Sequence, residues 1–309
     1  MDTVLEILDP LVFDSIYAKI LPAPVLANAT SGVAITSALS RDNDIRIALS
    51  IFVLVTLGGW FFYLSAATFS YFFLFDHEIM KHPKFLKNQV SLEIDCAVKA
   101  VPGFVLFTVP WFWGEVKGYS KLYSDPQAYG GIPYMLFSIA AFLVFTDFGI
   151  YWIHRWLHHP VLYKRLHKPH HKWIVPTPFA SHAFHPLDGY AQSVPYHLFV
   201  YVIPMQKWLY ITIFMFVNIW TVMIHDGNYM LRSKIINSSA HHSVHHLYFN
   251  YNYGQYFTFW DRAFGSHRQP TEEQYNSMLR NDQKVWAKQA VDAESIEQQT
   301  LQANKLKAN

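Results

Sequence analysis

Residues 132–159 read IPYMLFSIAAFLVFTDFGIYWIHRWLHH. Between Ile132 and Ile153 the only charged residue is Asp147, so this stretch is long and apolar enough to cross a bilayer as a helix. It then delivers His154 and His158, whose i, i+4 spacing puts both imidazoles on one helix face just where the helix leaves the hydrocarbon. An apolar span that carries paired imidazoles to its end predicts an all-α, polytopic membrane helical bundle with a histidine-rich, metal-binding cap.

The rest of the chain agrees with that reading. Of 309 residues, 52% are hydrophobic and only 15% charged, too apolar for an ordinary soluble domain of this size. Three further stretches, residues 46–75, 100–113 and 195–224, are apolar enough to enter the membrane. The second is short and interrupted by Pro102 and Pro110, which leaves it between a buried and a spanning helix. The last is broken between Pro204 and Lys207, which predicts two short helices in a hairpin. No repeat or linker divides the chain. It reads as one membrane domain, residues 46–268, between a polar N-terminal segment, 1–45, and a polar C-terminal tail, 269–309, with a helix expected over 282–302.

Lysine and arginine favour the cytosolic side of a membrane. Lys81, Lys84 and Lys87 follow the first span, and Arg155, Lys164, Arg165, Lys168 and Lys172 follow the third, so both connections are expected in the cytosol. Parity agrees when the first three spans each cross once and the broken fourth returns as a hairpin. The N-terminus is then lumenal and the histidines are cytosolic; a re-entrant second segment would reverse the N-terminus and move the three lysines to the lumen. The acidic residues Asp2, Glu6, Asp9 and Asp14 do not form the basic start of a signal peptide. The sequon Asn28-Ala-Thr30 is usable only on the lumenal side. The ending Lys305-Leu-Lys307-Ala-Asn309 resembles a dilysine retrieval signal, which implies the endoplasmic reticulum and a cytosolic C-terminus.

Two more clusters complete the cap: His167-Lys-Pro-His170-His171 and His241-His242-Ser-Val-His245-His246. In the first, Pro169 belongs in the first turn of a helix, with His167 at or before its cap. So many imidazoles packed without a metal would carry a desolvation cost and mutual repulsion on protonation. The single cysteine, Cys96, removes thiolate ligation, and a zinc site uses only three or four ligands. Eight clustered histidines with no carboxylate among them suit two ions in an all-nitrogen field, and two irons fit best. With O₂ such a pair generates an oxidant able to take hydrogen from an unactivated C–H bond, the chemistry a lipid substrate requires. Isolated His77, His82, His197 and His267 read as hydrogen-bonded interfacial residues. With no long basic run, nucleic acid is not an expected partner.

The clusters resemble the boxes of the sterol desaturase and fatty acid hydroxylase superfamily, HxxxH, HxxHH and a second HxxHH, over roughly residues 137–268. The boxes fall on His154 and His158, on His167, His170 and His171, and on His242, His245 and His246. The family pattern also places a histidine at His225, which ends the last apolar segment, so a ninth ligand is expected there. His159 and His241 adjoin boxes without being required by the pattern. The flanking stretches HKPHHKWIVPTPFASHAFHPLDGY, TVMIHDGNY and HLYFNYNYGQ resemble the sterol C-5 desaturases, the lathosterol oxidases, particularly those of fungi. That resemblance implies introduction of the C5–C6 double bond into a Δ7-sterol. It also implies two Fe ions, O₂, and electrons from NAD(P)H through cytochrome b5 and its reductase.

Three further residues stand near the ligands in sequence. Asp147 is a carboxylate inside a span where charge is expensive, and is expected to support a ligand histidine or to make a helix-packing hydrogen bond. The others are His182 and His185, the latter in a His-Pro-Leu-Asp motif that resembles a family motif, for which spacing leaves open a ligand, a contact behind the ligands or a proton route. The aromatic-rich run 248–259 is expected to wall the substrate pocket or anchor it at the interface. Sterol C-4 methyl oxidases and sphingolipid hydroxylases share the box spacing; the flanking stretches favour C-5 desaturation. A metal transporter or storage protein would need polar residues along a crossing path, and these spans offer little beyond Asp147.

Overall fold

The computed structural model describes residues 1–23 and 37–306. The Asn28 sequon and Lys307 of the terminal lysine pair lie outside the described residues. Five long helices build the bundle: α1, Asp44–Phe73; α2, Gln89–Val116; α3, Ile132–Leu157; α4, Pro186–Val202; and α5, Lys207–Ile224. A shorter helix, α6, Ser239–Tyr248, and a C-terminal one, α7, Gln283–Leu306, complete the part that bears on the site. The fold is the all-α membrane bundle expected.

Each boundary has a local cause. Asn43 caps α1 by accepting from the amides of Ile45 and Arg46. No charged residue follows Arg46 within α1, and its outer side chains stay exposed, Leu57 by 56%, Phe69 by 58% and Phe73 by 73%, as a lipid-facing surface requires. α1, α3 and α5 are each long and apolar enough to cross a membrane. α2 is longer than its apolar stretch. It starts at Gln89 because the polar residues of its first turns are satisfied inside the protein: Gln89 Nε2 donates to the carbonyl of Val175 (2.8 Å) and to Glu93 (2.7 Å), and Glu93 accepts from Thr177. Pro102 and Pro110 are both accommodated within it.

Polar contacts give the helix directions. The chain's amino group donates to Glu115 (3.1 Å) near the end of α2, and Trp113 donates to Asp44 (3.1 Å) at the start of α1. At the opposite end, Phe75 and Ile79 after α1 cluster with Val175, beside the start of α2. Helices α1 to α5 alternate in direction, so the 74–88 connection with its three lysines shares one end of the bundle with the histidine clusters, and Met1 lies at the other. The expected hairpin is α4 and α5. Its first arm begins earlier than the apolar run, at Pro186, and its turn is pinned by a two-residue parallel pairing of Leu122–Tyr123 with Met205–Gln206.

Close approach of α3 and α4 depends on Gly149. A Cβ there would come within 2.7 Å of the Pro195 ring, so the small residue lets the two backbones meet. Gly149→Val is expected to cost roughly 1–3 kcal/mol of stability by overpacking. Thermal unfolding in detergent checks this against Gly58→Val, where a Cβ meets nothing within 4 Å and no loss is expected.

The polar tail packs back onto the cap. Trp286 and Ala293 of α7 are buried, the Trp286 ring lies 5.7 Å from that of His82, and Ile296 joins the cluster of Val244, Leu247 and Tyr248 on α6. Arg280 pairs with Asp76 and Lys84 with Glu294, tying the tail to the 74–88 connection.

Candidate metal centre

Every residue of α6 is buried, although the helix carries four histidines in ten residues. That is tolerable only because the imidazoles meet others of their kind. His154, at the end of α3, and His158, its C-cap, point toward the short helix Lys168–His171, whose first turn holds Pro169 and whose N-cap is His167, as expected. His225 caps the end of α5.

The nine histidines singled out from sequence separate into two groups. His154, His158, His167, His171 and His245 form one; His170, His225, His242 and His246 form the other. Within each, one ring nitrogen per residue lies within 4.8 Å of all the rest. Both His-His doublets are split, His170 from His171 and His245 from His246. Neighbouring residues on a helix point about 100° apart, so each doublet divides between the groups. Residues four apart, about 40° apart around the axis, share one (His154 and His158, His167 and His171, His242 and His246), whereas the pairs three apart, His167 with His170 and His242 with His245, do not. The double HxxHH pattern therefore supplies imidazoles to both groups.

Hydrogen bonds from Nδ1 fix the tautomers of four rings. His154 donates to the carbonyl of Tyr253 (3.0 Å), His245 to that of Tyr251 (2.7 Å), His225 to that of Thr221 (2.7 Å), and His167 to Asp188 Oδ2 (2.7 Å). Each leaves Nε2 as a bare lone pair. The Nε2 atoms of His154 and His167 then face each other at 3.1 Å with no proton between them, which is repulsive unless a cation sits beside both. His158 and His171 approach equally closely, and His242 lies 2.9 Å from His225 and 3.2 Å from His246. With metal–imidazole bonds of about 2.0–2.1 Å, two ligands at right angles around one ion lie roughly 3 Å apart. The donor set fits metal ions.

Protonation is suppressed at seven of these rings. Burial, reinforced by neighbouring imidazoles, holds His158, His170, His171, His242, His245 and His246 well below the ordinary histidine range, and burial takes His225 to about 4. All are neutral at physiological pH, the form that ligates.

The supporting residues differ in part from expectation. Asp147 hydrogen-bonds no histidine among the described residues; its Oδ1 accepts from the amides of Gln255 (3.1 Å), Tyr256 (2.6 Å) and Phe257 (3.3 Å). Asp261 does the same for Tyr253 (2.8 Å) and Gly254 (2.9 Å). Together they shape the loop whose carbonyls hold His154 and His245. His185 caps α4 by accepting from Leu187, and His182 lies by Ser181 and Asn218, so neither touches the groups through a hydrogen bond. The carboxylate that does is Asp188, the last residue of the His-Pro-Leu-Asp motif, fully buried beside His167. His241 hydrogen-bonds Ser238 and closes the capping box of α6, which accounts for its place outside both groups; His159 is exposed. His197, read from sequence as interfacial, is buried instead, stacked on Trp111.

An apolar cavity of about 560 Å³ runs among α1, α2, α4 and α5. Thr221, Gln255 and His182 line it at the histidine end; Met1, Glu115 and Lys207 line it at the other. From the aromatic-rich run only Gln255 reaches it. The two aspartates turn the loop so that Tyr253 packs on the rings of His154, His158 and His245 instead.

Residues 139–266 match the fatty acid hydroxylase family model. The chain is 47% identical to the Delta(7)-sterol 5(6)-desaturase erg3B of Aspergillus fumigatus, over 96% of its own length and 94% of that protein's. It is equally similar, with the same coverage, to a probable Delta(7)-sterol 5(6)-desaturase of Neurospora crassa. Identity to the Candida albicans Delta(7)-sterol 5(6)-desaturase is 52%, covering 84% of this chain and 68% of that one. No solved structure matches it. With histidine boxes, helical bundle and near full-length identity in agreement, the chain belongs to the sterol desaturase branch of the fatty acid hydroxylase family.

Proposed function

We propose that this protein is an O₂-dependent Δ7-sterol 5(6)-desaturase of the endoplasmic-reticulum membrane. Its histidine end faces the cytosol, where the lysine-bearing 74–88 connection belongs. Electrons come from NAD(P)H through cytochrome b5 and its reductase. The observation that carries the reading is a buried double site of neutral imidazoles directly above a helix-lined apolar cavity. The names of the relatives supply the substrate class.

In this reading His154, His158, His167, His171 and His245 hold one iron, and His170, His225, His242 and His246 the other. Bound iron supplies, with O₂, an oxidant strong enough to remove hydrogen from unactivated carbon. The chain's own contribution is placement. Carbonyls and Asp188 fix the imidazole orientations, burial keeps the rings unprotonated, and the cavity holds a rigid sterol nucleus with water excluded from its reacting edge. The histidines serve as ligands and need not act as bases, because the hydrogens leave from carbon.

Incubation of the purified, iron-loaded protein with a Δ7-sterol, NADH, cytochrome b5 and its reductase is expected to yield the C5–C6 alkene. Recovery of hydroxylated sterol alone would favour a hydroxylase of the same family and overturn the desaturase reading.

A further inference from the structure

Gln255 is held as few cavity residues are. Its amide donates to Asp147 (3.1 Å) and its carbonyl accepts from the Trp220 indole (2.7 Å), so its backbone is fixed on both sides. Its side-chain Nε2 donates to Thr221 Oγ1 (3.0 Å), whose own proton goes to the carbonyl of Val217 (2.9 Å). That accounts for one hydrogen of the amide. The second Nε2 hydrogen and Oε1 have no partner among the described residues, and the side chain lines the cavity. A braced carboxamide therefore offers a donor and an acceptor side by side to whatever fills the space.

Its position relative to the two histidine groups is set by short links. The carbonyl of Thr221, which braces it, accepts from the Nδ1 of His225; that of Tyr253, two residues before it in the chain, accepts from the Nδ1 of His154. Gln255 thus lies beneath both groups. Nearby polar groups are largely committed: Asn218 donates to Phe214 (2.7 Å) and faces His182, and Gln192 donates to Asp188 (2.7 Å).

A hydroxyl both donates and accepts, which matches the free half of this amide. In a sterol the hydroxyl-bearing C3 and the carbon C5 are next-but-one neighbours in the same ring. A nucleus placed with C5 and C6 under the histidines must therefore keep its hydroxyl at the same end, with the alkyl tail toward Phe112 and Lys207. We propose that Gln255, braced by Thr221, binds the 3-hydroxyl of the sterol and so fixes which ring edge meets the metal site. This rests on the sterol desaturase reading and adds a positioning residue to it.

The test is equilibrium binding to the full chain in detergent, by competition of a Δ7-sterol and its 3-deoxy analogue against a fluorescent sterol. The intact protein is expected to prefer the hydroxylated sterol by roughly tenfold or more, the scale of one well-placed hydrogen-bond pair. Gln255→Leu should abolish the preference, and Thr221→Val, which leaves the backbone bonds of Gln255 in place, should reduce it. Variants that keep the full preference, or an intact protein that has none, would overturn the proposal. Product analysis separates the two ideas. A hydroxyl preference without a C5–C6 alkene would defeat the desaturase reading and leave the hydroxyl site standing; alkene formation with preference unchanged in Gln255→Leu would do the reverse.

Discussion

Replacing His242 by alanine is expected to abolish sterol desaturation and to leave about one iron where the intact chain binds about two. His242 is the residue of the four-histidine group that approaches two others, His225 at 2.9 Å and His246 at 3.2 Å. Its loss leaves three imidazoles for one ion and opens a void in a helix that is buried throughout. His158→Ala makes the useful contrast. It belongs to the five-histidine group, so four donors remain there, and both irons should be retained with activity lowered but measurable. Elemental iron per chain, read beside product formation, checks the pair. Equal iron loss in both variants would show that the groups are not separate sites.

Asp188→Asn is expected to lower iron affinity and turnover together by roughly 10–100-fold, the usual consequence of removing the partner that orients a ligating imidazole. The side chains of Asp188 and His167 are both fully buried, and the carboxylate accepts the Nδ1 proton at 2.7 Å. Asparagine keeps the shape but turns a second donor toward that proton through one of its two orientations. In the other it is a neutral and weaker acceptor. Either way Nε2 loses basicity or alignment. Iron titration of the purified variant, with Asp188→Glu for comparison, measures the effect; unchanged iron affinity in Asp188→Asn would make the contact a packing detail.

Hydropathy and spacing carried much of this molecule. The spans, the break at Pro204 and the helix near the C-terminus were legible because each depends on residues close together in the chain. The eight box histidines stood out through the same local spacing, with His225 added through the family pattern; which group each joins depends on contacts between boxes far apart in the chain. What was not legible depends on partners far apart. Nothing in the run around Asp147 announces that three amides more than a hundred residues away will claim its carboxylate, and hydropathy alone placed the start of α2 well after Gln89 because it does not register Val175 and Thr177 as partners. Asp188 lies within the same His-Pro-Leu-Asp motif as His185. The first turn of α4 gives His185 the cap and sends Asp188 inward. The division of each His-His doublet was available from helix geometry alone, since two adjacent imidazoles diverge by about 100°.

The docking of α7 over α6 has a consequence for how the protein is made. The last histidine of the two groups is His246, but the helix that covers α6 begins at Gln283, and the contacts through Trp286 and Ile296 come later still. A ribosome therefore exposes every candidate ligand before it has released the segment that closes over the third box. Both groups can therefore come together before their cover exists, and a message truncated before Trp286 would deliver all nine imidazoles to the membrane with that cover missing.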